Sequence, residues 1–197
     1  MNDTDKSLID AHLQGDREAF GELVRRYGGS VLGYLMKMSG SREQAEDFFQ
    51  ETFKWVYEKA YTFRGNRFKA WLFRIATNVA INGLRRRRRL QAVSLNQKFD
   101  CVDGNSRESA TADAVADNWC EPLQEAIRAE QRQQVRQAIK SLPTKQRATL
   151  LLAYFQQLSY REVAQVLGCS IGTVKTQMYR ALRTLAERLP DISEDVK

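Results

Sequence analysis

The chain has 197 residues, 43 % hydrophobic and 28 % charged, with a formal net charge of +7. That length suits one large domain or two small ones, no apolar run reaches membrane-spanning length, and the opening MNDTDKSLIDAHLQGD lacks the charged-then-apolar pattern of an export signal. The expectation is a cytoplasmic protein with no membrane insertion. Cys101, Cys120 and Cys169 are far apart and form no CxxC or CxxH spacing, His12 is the only histidine, and no P-loop or dinucleotide fingerprint is present. The sequence therefore predicts no enzyme, no catalytic residue, no metal and no cofactor.

Apolar residues recur at three- and four-residue spacing through most of the chain, and Pro122, Pro143 and Pro190 fall at helix boundaries, which predicts an all-α fold. The expected helices run Asp5 to Leu13, Arg17 to Met38, Arg42 to Tyr61 and Arg67 to Arg88, then Pro122 to Ser141, Pro143 to Gln156, Tyr160 to Leu167 and Ile171 to Arg188. Between the two groups, the polar, acidic, non-periodic stretch after Leu90 has the composition of a flexible linker. The domains are set at 5–90, 91–121 (acidic linker) and 122–189.

On the third helix Ala45, Phe49, Thr52, Phe53, Val56 and Ala60 face inward. Phe48 and Trp55 project to another side beside Asp47, Glu51 and Glu58, as a protein-binding patch of exposed aromatics and acids would. Packing of Phe48 and Trp55 on a neighbouring helix of their own domain is the competing reading.

On the fourth helix Phe68, Leu72, Ile75, Ala76 and Val79 form a core stripe. A second row, Arg67, Trp71, Arg74, Asn78, Asn82 and Arg85, recurs at spacings of 4, 3, 4, 4 and 3. Arginine, an indole and amides in one row can grip phosphate, stack on an unpaired base and hydrogen-bond its edge. A buried Trp71 is the alternative. The run Arg85 to Arg89 closes this helix, and five consecutive arginines cannot share one helix face. They suit a polyanion backbone, where charge matters more than register; a targeting signal or helix-end charge complementarity are the alternatives.

Charge is divided into blocks. Nine Lys or Arg and no acid lie between Arg64 and Gln91, seven acids against Arg107 lie between Phe99 and Ala126, and eleven bases against three acids lie between Ile127 and Leu189. Two basic blocks around an acidic one suggest a polyanion touched in two places.

In the last two helices Ser159 and Glu162 form an S-x-x-E capping box with Leu158 placed to staple onto Val163, Gly168 stops the helix, and Ser170 caps the next one. This is a helix-turn-helix signature. Ile171, Val174, Met178, Leu182, Leu185 and Leu189 make the expected buried stripe of the second helix. Thr173, Thr176, Arg180 and Arg183 lie opposite, flanked by Lys175, Gln177 and Tyr179, donors suited to base edges and phosphates.

LPTKQRATLLLAYFQQLSYREVAQVLGCSIGTVKTQMYRAL resembles region 4, and QAEDFFQETFKWVYEKAYTFRGNRFKAWLFRIATNVAINGLRRRRR resembles region 2, of bacterial RNA polymerase sigma factors of the extracytoplasmic-function (ECF, group IV) sigma-70 family. Departures are Gln156-Gln157 where the family usually has an acid and Gly, Thr176-Gln177 where it has Ser-Arg, and Leu182 where it has Arg. The resemblance implies two compact helical domains on a flexible linker. It also implies a sigma factor that joins core RNA polymerase, directs it to promoters and promotes DNA melting. By the same resemblance Asp47, Phe48, Glu51 and Trp55 dock on the β′ clamp helices, with the β flap a further polymerase contact, and an anti-sigma factor is a usual partner. Arg64 and Asn66 in the loop before the fourth helix, with Arg67, Trp71, Arg74, Asn78, Asn82, Arg85 and Arg86, capture the non-template strand of the minus-10 element. Thr173, Lys175, Thr176, Tyr179, Arg180 and Arg183 read the minus-35 element. The acidic linker would thread the RNA exit path of polymerase, or serve only as a soluble tether. The runner-up function is a helix-turn-helix regulator that binds closed duplex without joining polymerase.

Overall fold

The computed structural model describes residues 4–65, 67–97 and 122–189, with side chains placed outside 91–97 and 122–129. Asn66, the acidic stretch with its exit-path reading, Cys101 and Cys120 lie outside the described residues. Eight α-helices make up nearly all of what is described: α1 Asp5–Leu13, α2 Arg17–Ser39, α3 Arg42–Lys59, α4 Phe68–Gln97, α5 Pro122–Ser141, α6 Thr144–Leu150, α7 Tyr160–Leu167 and α8 Ile171–Arg188. None of them is long and apolar enough to cross a membrane.

Four of the helices start where a short polar side chain can take up backbone N–H groups that have no partner in the first turn. Thr4 accepts from Ser7 N, Asp16 from Glu18 N (2.8 Å) and Ala19 N (3.2 Å), and Ser170 from Thr173 N (3.1 Å). Ser159 and Glu162 form the reciprocal capping box that their spacing predicts. Glycines in the left-handed region end α2 (Gly40, φ 75°) and α7 (Gly168, φ 62°).

The first bundle packs α2, α3 and α4 around Leu23, Val31, Leu35, Val56, Leu72 and Phe73, all fully buried. At its centre the Tyr34 hydroxyl meets Thr77 Oγ1 at 2.8 Å, tying α2 to α4, and burial pushes the Tyr34 phenol up despite that bond. α1 is pinned from outside: Asp5 accepts from Tyr27 (2.5 Å) and Arg26 (2.7 Å), and the His12 ring lies 5.1 Å from Phe20 and 4.6 Å from Tyr57. The second bundle packs α5 to α8 around Leu142, Leu151, Leu152, Val163 and Val174. Inside it the buried Thr149 donates to Gln177 Oε1 at 2.6 Å, so Gln177 joins α8 to α6 rather than serving the exposed face.

Four expectations change. α3 ends at Lys59 and tightens into a 3₁₀ turn over Ala60–Thr62. α4 continues through Gln97, into the stretch that composition assigned to the linker, because LQAVSLNQ contains no Gly or Pro and is built largely of residues compatible with helix. The helix from Pro143 becomes a π turn over Leu151–Phe155. On α8 the buried face is Val174, Met178 and Ala181 with half-buried Leu185, whereas Ile171 (42 %) and Leu182 (52 %) are exposed. At 100° per residue these two sit roughly 50–70° around the helix from the buried face, at its edge.

Gln157, between the π turn and α7, holds φ at +54°, the one described non-glycine residue with positive φ. A side chain there costs about 1–2 kcal/mol, partly offset by the unfolded-chain entropy that glycine adds. Thermal unfolding should therefore place Gln157→Gly at or above the parent chain and Gln157→Val, with its β-branch, clearly below it.

Candidate nucleic-acid interface

α4 supplies the first candidate surface. Its buried side comprises Phe68, Ala70, Leu72, Phe73, Ala76, Thr77, Val79 and Ala80, broader than the stripe expected, since Ala70, Phe73, Thr77 and Ala80 also pack inward, while Ile75 of that stripe is only half-buried. Opposite it, Arg67, Arg74, Asn78, Asn82, Arg85 and Arg86 are exposed, as is Arg64 in the preceding loop. Trp71 is intermediate. Its ring is braced by Phe63 (5.5 Å) and Phe68 (5.7 Å), which fixes its plane while leaving part of it at the surface. Arg85 to Arg89 are all exposed and form no ion pair among the described residues; Arg88 alone reaches across to Thr144 Oγ1 at 3.4 Å.

Two clefts flank this row. One lies between α3 and α4 and is lined by Glu51, Trp55, Asn78, Asn82, Gly83 and Arg86, so residues expected to touch polymerase and residues expected to touch DNA share a wall. The other holds Arg64, Arg67, Trp71 and Arg74 together with Gln165 and Val166 of α7, and sequence reasoning had no signal for that second pair. Periodicity describes one helix at a time and carries nothing about which helix lies across it.

The acidic aromatic patch on α3 divides. Asp47, Glu51 and Trp55 are exposed, with the Lys59 ammonium 5.8 Å from the Trp55 ring centre. Phe48 is not exposed with them. Its ring lies against α4 where Gly83 leaves room, and a Cβ at Gly83 would stand 2.3 Å from Phe48 Cε1. This corrects the outward placement of Phe48: the glycine makes a notch that draws the ring in, so Phe48 positions α3 on α4.

α8 presents the second surface. Thr173, Lys175, Thr176, Tyr179, Arg180 and Arg183 are all exposed, and Ile171 and Leu182 add apolar area beside Lys175 and Tyr179. Thr176 donates to Gly172 O (3.0 Å) and Arg183 to Glu187 (3.0 Å), while Lys175 and Arg180 make no ion pair among the described residues. α7 crosses behind, its start fixed by the capping box. There Ser159 N (2.9 Å) and Oγ (2.7 Å) both donate to Glu162 Oε2 and, with Arg67 and Lys69 nearby, hold that carboxyl below its ordinary range.

The notch separates the two aromatics of α3 experimentally. Phe48→Ala should lower stability by about 2 kcal/mol, since it empties a half-filled packing site, and Gly83→Ala should do the same by expelling the ring. Trp55→Ala should change the denaturation midpoint by less than about 0.5 kcal/mol equivalent. Chemical denaturation of the three variants reads the difference directly.

Comparison with known proteins identifies the family. Residues 23–90 match the model of Sigma-70 region 2 and residues 132–185 that of Sigma-70, region 4. The chain is 32 % identical over 186 residues to the RNA polymerase sigma-H factor of Pseudomonas aeruginosa, covering 94 % of this chain and 93 % of that one. It is 31 % identical to the ECF RNA polymerase sigma factor SigW of Bacillus subtilis, covering 95 % and 97 %. Among solved structures it resembles CnrH, determined in complex with the cytosolic domain of CnrY (TM-score 0.66, 25 % identity, 95 % of this chain and 98 % of that one). It also resembles the sigma factor RpoE of Bartonella quintana, determined with the anti-sigma factor NepR (TM-score 0.65, 25 % identity, 87 % and 97 %). The matches to both regions, in order and over nearly the whole length, set aside a free-standing helix-turn-helix regulator: the chain belongs to the sigma-70 family as an RNA polymerase sigma factor of the extracytoplasmic-function group.

Proposed function

We propose that this sigma factor acts in the cytoplasm and divides promoter recognition between its two basic helix faces. The carrying observation is the row on α4, where Arg67, Arg74, Asn78, Asn82 and Arg85 stand exposed along one side with a braced indole among them. Guanidinium groups hold the backbone, the indole offers a face to an unstacked base, and the amides read its edge. Such a row favours an opened strand over the duplex, so binding energy itself drives melting of the minus-10 element. Arg64, exposed in the loop that leads into α4, extends the same surface, and the same role is assigned to Asn66 from its place in the sequence alone. Arg85 to Arg89 add phosphate affinity without sequence preference.

α8 is the duplex reader. Its exposed Thr173, Lys175, Thr176, Tyr179, Arg180 and Arg183 enter the major groove at the minus-35 element, with the capped helix start nearest the groove. Asp47, Glu51 and Trp55 dock on the β′ clamp helices of core polymerase, and Phe48 holds them in place from behind. The β flap is the further polymerase contact of region 4. An anti-sigma factor is the expected antagonist, as NepR is for its relative in Bartonella quintana.

Transcription by core polymerase with and without the chain, on promoters from the source genome, tests the whole reading: initiation should require the chain. Replacing Arg85 to Arg89 by Gln should weaken open complexes on every promoter alike, and the salt dependence should flatten by a slope of about 0.9 per lost duplex contact. Arg180→Ala, assayed on a library randomised across the minus-35 element, should relax preference at one base pair at a cost of about 1–3 kcal/mol. Unchanged preference and unchanged yield would remove α8 from promoter choice.

A further inference from the structure

The start of α8 has fewer free donors than its composition suggests. Thr176 Oγ1 donates back to Gly172 O at 3.0 Å, and Thr173 Oγ1 lies 2.9 Å from Ser170 Oγ, inside the cap that starts the helix. Ser170 Oγ in turn accepts from Thr173 N at 3.1 Å. Both threonines are exposed, yet both hydroxyls are occupied locally, which leaves the methyls as what these side chains offer a partner. We propose that Thr176 reads the C5-methyl of a thymine in the minus-35 element through its own Cγ2 methyl. The proposal rests on the assignment of α8 to the minus-35 major groove.

Thr176 is the one of the two placed for that contact. At 100° per residue it points within about 20° of the direction opposite buried Val174, Met178 and Ala181, so it stands at the middle of the exposed side, in the second turn of the helix. Lys175 and Arg180 lie to either side of it and make no ion pair among the described residues. Their cations can hold the phosphates that wall the groove while the methyl meets the base edge. The next side chain, Gln177, is turned toward α6, where its oxygen accepts from Thr149 at 2.6 Å. Region 4 usually carries Ser at position 176, which has no methyl, so the contact is particular to this chain.

The chemistry is selective. A free hydroxyl donates to or accepts from the edge of any base pair, whereas a methyl gains only where it covers apolar surface, and the apolar group that the major groove offers is the thymine C5-methyl. Closing one methyl on another takes about a methyl group's area out of water, worth about fourfold in affinity. The bond to Gly172 O holds the side chain in one rotamer before DNA arrives, so the methyl is presented without further loss of freedom.

The test uses the chain assembled with core polymerase and a promoter duplex carrying the minus-35 sequence selected from a randomised library. Each thymine of that element, on either strand, is replaced in turn by deoxyuridine, which removes the methyl and leaves the pairing edge unchanged; fluorescence anisotropy reads the affinity. For the parent chain one replacement should weaken binding about fourfold. Thr176→Ser should bind the thymine duplex about fourfold more weakly and lose all response to that replacement. Thr176→Val, which keeps a methyl and drops the hydroxyl, should retain the response. Any effect of the thymine methyl on duplex shape is common to the three chains and cancels in the comparison. No deoxyuridine-sensitive position within the element, a response that persists in Thr176→Ser, or one lost in Thr176→Val would overturn the proposal. A library with no minus-35 preference at all would remove the α8 assignment as well, whereas a clear preference without the deoxyuridine response fails this inference alone.

Discussion

The two-sidedness of α4 is the constraint on which the other features depend. Eight residues of this helix are buried, and the row from Arg67 to Arg85 can face outward in register only because that side is fixed. The Tyr34–Thr77 hydrogen bond, buried at the contact of α2 and α4, is a directional element in an otherwise apolar seam, and it holds the rotation of α4 about its own axis. A helix turned by one residue position would rotate the row by about 100° and present Phe68, Leu72, Ile75 and Val79 instead. The Phe48–Gly83 notch fixes α3 on the same helix from the other side, so the polymerase patch and the strand row are parts of one rigid unit.

Region 4 follows a different logic. Its short helices are set by their ends: a capping box starts α7, a left-handed glycine stops it, and Ser170 starts α8 two residues later. Two polar links order the bundle: Thr149 to Gln177 ties α8 to α6, and Arg147 to the carbonyls of Lys140 and Leu142 ties α6 to the end of α5. One domain therefore presents a long continuous row suited to an extended single strand, and the other a short helix start suited to a groove. The charge blocks of the sequence map onto these two shapes.

Much of this was legible in the sequence because it is local. The fold class, the caps of α7 and α8, the inward residues of α3 and the exposed row of α4 all follow from spacing and end chemistry. What was not legible depends on residues far apart in the chain. Phe48 and Trp55 are seven positions apart and share a face, so periodicity treats them alike; only Gly83, thirty-five residues beyond Phe48, separates them. Ile171 and Leu182 match the apolar spacing of α8 yet lie at the edge of its buried face, because small Ala181 rather than Leu182 occupies the contact. Gln177 reads as part of the exposed face until Thr149 is placed beneath it. The meeting of α7 with α4 has no sequence signature at all.

The central claim is that the α4 row captures an opened strand rather than a duplex. Its most direct measurement is the affinity of the chain, assembled with core polymerase, for the single-stranded non-template minus-10 segment of a promoter it uses, set against the duplex of the same sequence. The account predicts a clear preference for the single strand, lost when Asn78 is replaced by Ala and retained when Arg180 is. Equal affinity for strand and duplex, or a preference that survives Asn78→Ala and vanishes with Arg180→Ala, would contradict it.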